Sequence, residues 1–359
     1  MAPLVTACRQ NPAIETIVCI TGQHRQMLHE VLDKFGILPD YDLNIMQPGQ
    51  TLTQITSRIL TGLDDVFQKV RPDVVLVHGD TSTALSAGLE AFYHQIPVGH
   101  VEAGLRTGNP CSPFPEEMNR VLLGNLACLH FAPTDRNREN LLRQNVPGKI
   151  FVTGNTAIDV LRYTVSPGYV FSQPILNQLD YSRPTILLTA HRRENLGEGM
   201  ESIFAAVRRL GQDFPEIQFI LPVHLNPAVV NLVEKELGSC DFIHRTQPLD
   251  VFDMHNLISR CYMLMTDSGG LQEEAPSLKK PVLVLREETE RMEAIEAGTA
   301  ILAGIGEESV YACAARLLTD PQAYSRMSGA VNPFGDGHAA EKIVAALLEA
   351  CVSRHTRKQ

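Results

Sequence analysis

The segment LMTDSGGLQEEAPSLKKPVLVL, from Leu264 to Leu285, contains the clearest structural pattern in the sequence. Its first apolar run stops at Thr266, a Ser-Gly-Gly turn follows, and a helical segment carrying Glu273 and Glu274 leads to a second apolar run. A buried strand, a tight turn, a helix and another buried strand form a β-α-β unit of a parallel sheet. Bare N–H groups at the start of the helix suit an anion, and the carboxylates suit a polar ligand such as a sugar.

The same alternation of apolar runs and helical segments extends along most of the chain. The runs are mostly continuous rather than alternating with polar residues, which is typical of parallel strands buried on both faces. We therefore predict an α/β fold with doubly wound parallel sheets. The ten runs end at Gly22, Asp80, Gly104, Thr134, Asn155, His191, His224, Thr246, Gly270 and Leu285.

A proline-rich break between Tyr163 and Pro184 indicates a crossing between two domains. We expect an N-terminal domain over residues 1–165 and a C-terminal domain over residues 166–337, with a final helix in 338–359 that packs back on the first domain. Ligands of open parallel sheets bind beyond the carboxyl ends of the strands. Two domains with facing strand ends therefore predict a central cleft.

Composition narrows the class of protein. The 359 residues are 44% hydrophobic and 20% charged, as in ordinary globular proteins. No apolar run reaches the roughly 20 residues that span a bilayer, and no signal peptide is visible. Eight scattered cysteines without a C-x-x-C pair favour a reduced, cytoplasmic protein and argue against a zinc site. The net charge of −10 disfavours a nucleic-acid partner.

Several common motifs are missing from the sequence. There is neither a P-loop nor a G-x-S-x-G elbow. The segment GDGHAA, with Gly335, Gly337 and Ala340, resembles a dinucleotide-binding pattern but follows no strand, so we interpret it as a chance match or a helix start. We therefore expect neither a cofactor nor a metal.

Carboxylates at three places in the first half are candidates for catalysis. Asp80 follows a predicted strand and is either a helix N-cap or a ligand-binding group. Glu102 lies in an apolar, glycine-flanked stretch and needs a partner, for which Arg106 is available, or a function. Glu116 and Glu117 follow Pro115 in the first turn of a predicted helix, where acids are ordinary.

The second half carries cationic and glycine-rich turns at the predicted strand ends. His191, Arg192 and Arg193 in TAHRREN suggest a phosphate or diphosphate partner, or a solvated basic turn. His224 ends another run, although a lone histidine is more often structural. In TDSGGLQEEAP, Ser268, Gly269 and Gly270 offer backbone N–H groups, with Glu274 one turn later and Arg291 downstream. A Ser-Gly-Gly turn is a weak signal by itself.

Together these segments resemble the non-hydrolysing UDP-N-acetylglucosamine 2-epimerases of bacteria. The likeness covers nearly the whole chain. It rests on ordered blocks that include VHGDTSTA, GHVEAGLRTG, SPFPEEMNR, TAHRREN, PVHLNP and TDSGGLQEEAPSLKKPVLVLREETER. The resemblance implies two Rossmann-like domains in a GT-B-like arrangement, interconversion of UDP-GlcNAc and UDP-ManNAc for surface polysaccharides, and a homodimer.

The resemblance also implies roles for single residues. Asp80, Glu102 and Glu116 match catalytic carboxylates, and His191 matches a histidine near the diphosphate. A second UDP-GlcNAc is an activator in many bacterial members, and residues around its pocket match Gln23, Gln26, Glu116, Arg192 and His224. The nucleotide-sugar contacts match Gln247, Phe252, Ser268, Gly269, Gly270, Glu274 and Arg291.

The chemistry of the substrate favours elimination of UDP. C2 of the sugar is not next to a carbonyl, so direct proton removal gives an unstabilised carbanion. Departure of UDP gives 2-acetamidoglucal, to which UDP adds back after C2 is reprotonated from the other face. The competing interpretations are a hydrolysing epimerase, a GT-B glycosyltransferase, and an inactive nucleotide-sugar-binding protein.

The sequence departs from the family pattern at its start. The family opens with a strand and a GTRPEAIK-like loop before the segment that matches MAPLV here, and that strand is expected to be central in the first sheet. Its absence is expected to expose neighbouring edges and to reduce stability and activity. The QPG segment from Gln47 to Gly49 lacks an arginine that some members have, and Met292 replaces a frequent proline.

Overall fold

The computed structural model describes residues 1–22, 31–47, 49–192 and 195–355. The chain divides into two compact units. Unit 1 comprises Met1–Val160 and Phe334–Gln359, and unit 2 comprises Leu161–Pro333. Both units alternate strands and helices, and every pairing between the described strands is parallel. The predicted α/β class with parallel sheets is confirmed.

Unit 2 is built on one six-stranded parallel sheet. Its strand order is β12-β11-β10-β7-β8-β9, so β7 and β10, the first and fourth strands of the unit, lie side by side. This is the doubly wound order, in which the chain leaves the centre of the sheet in opposite directions from two neighbouring strands. The strands are β7 (Thr185–Thr189), β8 (Gln218–Pro222), β9 (Ile243–Thr246), β10 (Met263–Thr266), β11 (Val282–Val284) and β12 (Ala300–Leu302).

The core of unit 2 lies between this sheet and its helices. Every residue of β7 and β10 is buried, which explains their continuous apolar sequences. Phe204 and Phe219 are among the largest fully buried side chains. The helices are α6 (Thr156–Thr164, shared with unit 1), α7 (Pro174–Gln178), α8 (Glu198–Asp213), α9 (Pro227–Leu237), α10 (Val251–Arg260), α11 (Gly269–Glu274), α12 (Met292–Glu296), α13 (Glu307–Thr319) and α14 (Pro321–Ser328).

The strands described in unit 1 form two sheets. A two-stranded sheet pairs β1 with β2, and a four-stranded sheet has the order β3-β4-β5-β6. The strands are β1 (Cys19–Ile20), β2 (Tyr41–Asp42), β3 (Val75–His78), β4 (Val98–Val101), β5 (Leu129–Ala132) and β6 (Lys149–Val152).

Helices cover these sheets and bring the two ends of the chain together. In one cluster, Leu4 packs with Phe131, Ile343 and Leu347, so the first and last helices share a core. The helices are α1 (Ala2–Gln10), α2 (Leu52–Val70), α3 (Ser82–Tyr93), α4 (Glu116–Leu126), α5 (Asp135–Arg143) and α15 (Ala339–His355). Among the described residues, no helix has both the length and the apolarity that crossing a membrane requires.

The GDGHAA segment is a helix start and not a phosphate loop. Its last two residues, Ala339 and Ala340, begin α15, and their N–H groups donate to the carboxylate of Asp159 at 3.0 and 2.6 Å. Gly335 lies against Gly154, where an added Cβ would approach Gly154 Cα to 3.2 Å. The two glycines therefore serve close packing of backbone.

Candidate active site

Asp80 follows β3 and is bound on two sides by helix α4. Its Oδ2 lies 2.5 Å from Nη2 of Arg120, and its carbonyl accepts a 2.8 Å hydrogen bond from Asn119 Nδ2. The alternative role as a helix cap is wrong, because the side chain of Thr81 caps α3. Two anchors on one helix fix both the backbone and the carboxylate of Asp80.

Arg120 is itself held by Glu117, one turn earlier in α4. Its Nη1 lies 3.1 Å from Glu117 Oε2. The Glu117 side chain is buried and also accepts the backbone N–H groups of Thr107 and Gly108, both at 3.1 Å. Several donors are what a buried carboxylate requires. The sequence does not single out this pair, although an i,i+3 glutamate and arginine on a helix is a usable signal.

Glu102 has an unusual backbone conformation. Its φ is +63°, in the left-handed region that non-glycine residues seldom occupy and that often marks a functional position. Asn155 Nδ2 donates to its Oε1 at 3.2 Å. Arg106 is not its partner, because that guanidinium donates to Gln144 Oε1 and to backbone carbonyls.

The turn at Gly79 brings Glu102 next to the Asp80 segment. Gly79 has a φ of +68°, and an added Cβ would lie 3.0 Å from Glu102 Oε2. His100, on the neighbouring strand β4, makes a 2.7 Å hydrogen bond from Nε2 to the carbonyl of Gly79. Burial lowers the pKa of His100 to about 3, so the imidazole is neutral and its Nε2–H is the donor that fixes this turn.

Glu116 begins helix α4 and differs from the other two carboxylates. Its side chain is half-buried. Within the described part of the chain it has no hydrogen bond or ion pair. Unit 1 therefore carries two tethered carboxylates at strand ends, Asp80 and Glu102, and one untethered carboxylate at the start of a helix.

In unit 2, the loops after β7 and β10 meet at the point where the sheet changes direction. This switch point is where open α/β sheets bind ligands. His191 follows β7, and Asp267 follows β10. Asp267 is fully buried, with 0% exposure. Its Oδ2 accepts the backbone N–H groups of His191 at 2.7 Å and of Arg192 at 2.8 Å.

The His191 ring and the Asp267 carboxylate form an ion pair. His191 Nδ1 lies 3.1 Å from Asp267 Oδ1, and this contact raises the pKa of His191 although partial burial and Arg192 oppose it. Burial alone would raise the pKa of Asp267, but His191 and the N–H groups of the loop hold it below the ordinary value. Both changes favour the charged pair.

Two residues assigned to the activator pocket lie beside His191. The rings of His191 and His224 stack with centroids 5.8 Å apart and planes 13° from parallel. Arg192 Nε donates to the carbonyl of Asp267 at 2.9 Å, and its Nη2 lies 3.7 Å from Glu290 Oε1. Gln23, Gln26 and Arg193 lie outside the described residues.

The glycine turn after β10 lies against a cationic side chain. Helix α11 begins at Gly269, where an added Cβ would lie 3.0 Å from Cζ of Arg291. Arg291 is held by Glu273, 2.9 Å away, and by Glu290. The N–H of Ser268 already donates to Thr266 Oγ1 at 3.0 Å. The free N–H groups at this turn are therefore expected from the first helical residues, Gly269 and Gly270.

Glu274 ends α11 and is tied to a buried histidine. Its Oε2 lies 3.2 Å from Nε2 of His255, whose Nδ1 makes a 2.7 Å hydrogen bond with Thr164 Oγ1. His255 is buried. The second turn of this helical segment therefore presents one carboxylate in a fixed place.

Gln247 and Phe252 lie between strand β9 and helix α10. The N–H and C=O of Gln247 pair with the side-chain amide of Gln173 at 3.1 and 3.0 Å. Phe252 is in the first turn of α10, and its N–H donates to the capping residue Asp250 at 2.8 Å. Both candidate nucleotide contacts therefore have defined backbones.

A separate group of potential metal ligands lies on α2 and α3 of unit 1. His94 Nε2 is 2.9 Å from Asp64 Oδ1 and 3.2 Å from Glu90 Oε1. Asp64 also accepts a hydrogen bond from Gln68 at 2.7 Å. Burial raises the pKa of Glu90. Because the imidazole bridges both carboxylates, ion pairing between the two helices accounts for the group.

Comparisons with known proteins agree on one family. The family model for UDP-N-acetylglucosamine 2-epimerase matches residues 6–348. The UDP-N-acetylglucosamine 2-epimerase of Bacillus subtilis strain 168 is 56% identical over 349 residues, which cover 97% of this chain and 91% of the relative.

Solved structures give the same result. The crystal structure of UDP-GlcNAc 2-epimerase from Neisseria meningitidis bound to UDP-GlcNAc has a TM-score of 0.87 and 44% identity, covering 97% of this chain and 96% of the other. The Methanocaldococcus jannaschii enzyme in complex with UDP-GlcNAc and UDP has a TM-score of 0.75 and 30% identity, covering 97% and 95%. The chain belongs to the UDP-N-acetylglucosamine 2-epimerase family.

Proposed function

We propose that this protein interconverts UDP-N-acetylglucosamine and UDP-N-acetylmannosamine by inverting C2, without net hydrolysis. The proposal rests on one observation. A chain of the epimerase family has carboxylates suited to proton transfer in one unit and groups suited to binding an anion in the other. Unit 1 has Asp80, Glu102 and Glu116 after strands or at a helix start. Unit 2 has His191 and the Gly269 turn at its switch point, a combination that suits a diphosphate.

The reaction proceeds by elimination and re-addition of UDP. A carboxylate takes the proton from C2, the C2–H electron pair forms a C1=C2 double bond, and the C1–O bond breaks with its electrons on the β-phosphate oxygen. The intermediate is 2-acetamidoglucal. Another carboxylate protonates C2 from the opposite face, and UDP adds back at C1. Asp80, Glu102 and Glu116 supply these two proton transfers.

The residues of unit 2 hold the nucleotide and stabilise the leaving group. Negative charge develops on the β-phosphate as the C1–O bond breaks, and His191 with the N–H groups of Gly269 and Gly270 faces that charge. Arg291 and Ser268 border the same turn. Glu274 accepts hydrogen bonds from ribose hydroxyls. Phe252 and Gln247 contact the uracil.

Proton NMR in deuterated water tests the proposal directly. The protein is incubated with UDP-GlcNAc, and the products are followed with time. We expect UDP-ManNAc that carries deuterium at C2, together with UDP-GlcNAc that acquires deuterium, because both sugars form from the same intermediate. UDP should stay bound to sugar at equilibrium, apart from traces of the glucal.

Other outcomes would contradict the proposal in different ways. Stoichiometric release of ManNAc and UDP would assign the chain to hydrolysing epimerases. Epimerisation without deuterium at C2 would exclude exchange of this proton with solvent. Binding of UDP-GlcNAc without turnover would assign a binding function.

We also propose that UDP-GlcNAc activates the enzyme at a second site next to the first. Arg192 and His224 match the family's activator pocket, and both adjoin His191, which matches the diphosphate position. Initial rates with UDP-ManNAc alone are expected to be low and to rise when UDP-GlcNAc is added in trace amounts. A hyperbolic rate curve with UDP-ManNAc alone, unchanged by UDP-GlcNAc, would contradict activation.

We propose that the protein is a homodimer that uses an apolar patch on α3 and α4. The patch comprises Phe92 and Tyr93, exposed by 58% and 63%, and Met118 and Leu122, exposed by 40% and 45%. A groove at its edge is lined by Phe92, Tyr93 and Leu126, among others. Several large apolar side chains exposed on two neighbouring helices are what an interface would cover.

Light scattering after size exclusion tests the dimer and its site. Wild-type protein is expected at twice the mass of the chain, and Phe92→Glu combined with Leu122→Glu at the monomer mass. Val170→Glu, which changes a 74%-exposed residue in unit 2, is the control and should stay dimeric. A monomeric wild type, or a dimeric double variant, would overturn the assignment.

The reaction belongs in the cytoplasm, where it supplies precursors of surface polysaccharides. The cysteines with described side chains are all unpaired thiols, as is usual in reducing compartments. Fractionation of cells of the source organism, with activity measured in each fraction, tests this location.

A further inference from the structure

Asp267 is a fully buried carboxylate that the reaction scheme above does not use. A buried charge of this kind is costly unless donors surround it. Its Oδ2 has three donors: the N–H groups of His191 and Arg192, at 2.7 and 2.8 Å, and Asn195 Nδ2 at 3.4 Å. The carbonyl of Asp267 also accepts a hydrogen bond from Arg192 Nε. In total, four polar contacts from one loop hold Asp267 in place.

The second oxygen of Asp267, Oδ1, contacts the His191 ring. Oδ1 is buried and has no aligned hydrogen bond, and His191 Nδ1 lies 3.1 Å from it. The oxygen and the ring therefore interact mainly through their charges. The two nitrogens lie on different sides of the imidazole ring. With Nδ1 at the carboxylate, Nε2 therefore points away from Asp267. The His191 side chain is 42% exposed, so a ligand can reach the ring.

We propose that Asp267 is the positioning residue of His191: it fixes the ring with Nδ1 inward and keeps it protonated, so that Nε2–H donates to the β-phosphate oxygen of the departing UDP. This inference rests on the proposed elimination of UDP. As the C1–O bond breaks, its electron pair moves onto that oxygen, and the imidazolium stabilises the new charge. The proton remains shared or returns to His191 when UDP adds back, so the step needs no other reactant.

The other charged groups around His191 act in both directions. Arg192 in the same loop disfavours a protonated ring, and the ring of His224, in the loop after the neighbouring strand β8, stacks on His191. Glu290 lies 3.7 Å from Arg192 and offsets part of its charge, while Arg291 is held by Glu290 and Glu273. The ion pair with Asp267 is the largest influence on the pKa of His191.

The first test is a titration of His191 in the intact wild-type protein. Two-dimensional ¹H–¹⁵N spectra of the imidazole nitrogens, assigned with His191→Gln, report the charge and tautomer of the ring at each pH. We expect the pKa of His191 above the ordinary value of about 6.5, with Nδ1 protonated throughout. A pKa at or below that value, or a ring that titrates with Nδ1 bare, overturns the proposal whatever the enzyme catalyses.

The second test is Asp267→Asn. The amide oxygen can still accept the two backbone N–H groups, but the amide N–H now faces His191 Nδ1 and favours a neutral ring with the opposite tautomer, as in aspartate-to-asparagine variants of triads. We expect the pKa of His191 to fall. The neutral ring keeps Nε2–H as a donor but loses its positive charge, so kcat should fall roughly tenfold, the difference between a charged and a neutral hydrogen-bond donor to a developing anion. KM should change much less.

The pH profile separates positioning from a structural role. The active form carries a protonated His191, so the rate falls as pH rises through its raised pKa, and in Asp267→Asn this fall should occur at lower pH. Asp253→Asn is the matched control, since Asp253 is also 0% exposed but binds Tyr169 and Ser172. It should lose stability without moving the His191 titration. An unshifted titration in Asp267→Asn overturns the proposal.

These readouts keep the inference distinct from the proposed function. The titration of His191 requires no turnover, and binding of UDP to wild type can be measured by calorimetry. If UDP-ManNAc does not form but His191 titrates as expected, the proposed function fails and the aspartate–histidine pair stands. If UDP-ManNAc forms and Asp267→Asn keeps the wild-type pH profile, the function stands and the positioning role fails.

Discussion

At the scale of single residues, the site depends on backbone positions that few side chains tolerate. Glu102 has a φ of +63°, and Gly79, with a φ of +68°, leaves room for the Glu102 carboxylate. An alanine at Gly79 would adopt a left-handed conformation and would also place its Cβ 3.0 Å from Glu102 Oε2. Backbone strain and displacement of the carboxylate proposed for catalysis would therefore occur together.

Comparing Gly79→Ala with Gly36→Ala separates these two effects. Gly36 has a similar φ of +61° but open space around its Cβ position. We expect each variant to lose roughly 1 kcal/mol of stability, from the left-handed alanine. Only Gly79→Ala should also lose activity, which we expect to fall at least tenfold, since small misplacements cost on the order of a hundredfold. Urea denaturation and initial rates measure the two quantities, and equal activity in both variants would contradict the contact.

The next prediction concerns Arg120, which bridges Glu117 and Asp80. Arg120→Lys keeps the charge but removes the planar fork that contacts both carboxylates. We expect kcat to fall about tenfold or more from the misplaced Asp80, with little change in the affinity for UDP measured by calorimetry, because UDP is assigned to unit 2. Arg143→Lys, in an exposed pair on α5, is the control. Normal kcat in Arg120→Lys would show that Asp80 needs no such anchor.

The sequence predicts the residues that follow strands better than it predicts their partners. Asp80, Glu102 and His191 stand directly after apolar runs, so the ends of the strands predict their location. Asp267 is a comparable residue, 76 positions from His191, and its adjacency to the Ser-Gly-Gly turn was an available signal. The contact between Asp267 and His191 depends on β7 and β10 being neighbours in the sheet. The pattern of apolar residues does not determine which strands are neighbours.

At the scale of elements, strand burial explains which strands the sequence predicts. All residues of β4, β5, β7, β10 and β11 are buried, and continuous apolar runs predict such strands. Buried apolar runs do not predict β2 or β12. β2 consists of Tyr41 and Asp42, neither of them buried, and β12 lies at the edge of its sheet with one buried residue of three.

Helix α15 provides a prediction at this scale. Ile343 and Leu347 are 0% and 5% exposed and pack with Leu4 of α1 and Phe131 of β5. We expect Leu347→Ala to destabilise unit 1 by about 2–5 kcal/mol, the usual cost of a buried leucine. Glu349→Ala changes an exposed side chain of the same helix, which pairs with Lys149, and should cost less than about 1 kcal/mol. Equal costs for the two variants in chemical denaturation would show that α15 is not part of this core.

At the scale of the whole molecule, each unit has its own core and its own share of the proposed chemistry. The core of unit 2 contains Phe204, Phe219 and Met263, while Ile59, Leu63 and Leu123 belong to a core of unit 1. The boundaries of the two domains and the assignment of UDP to the second remain predictions. Separate cores allow the response of each unit to a ligand to be measured separately within the intact chain.

Hydrogen exchange with mass spectrometry tests the assignment of nucleotide and sugar to the two units. UDP alone is expected to slow exchange in unit 2, over residues 189–192 and 266–274, because the His191 side chain and the N–H groups of Gly269 and Gly270 would bind phosphate. UDP-GlcNAc should also slow exchange over residues 79–82 and 101–104 of unit 1, where the carboxylates meet the sugar. His191→Gln should weaken the protection by UDP. If UDP protects the unit 1 segments as strongly as UDP-GlcNAc does, the sugar is not what engages them, and the assignment of Asp80 and Glu102 to C2 would have to be abandoned.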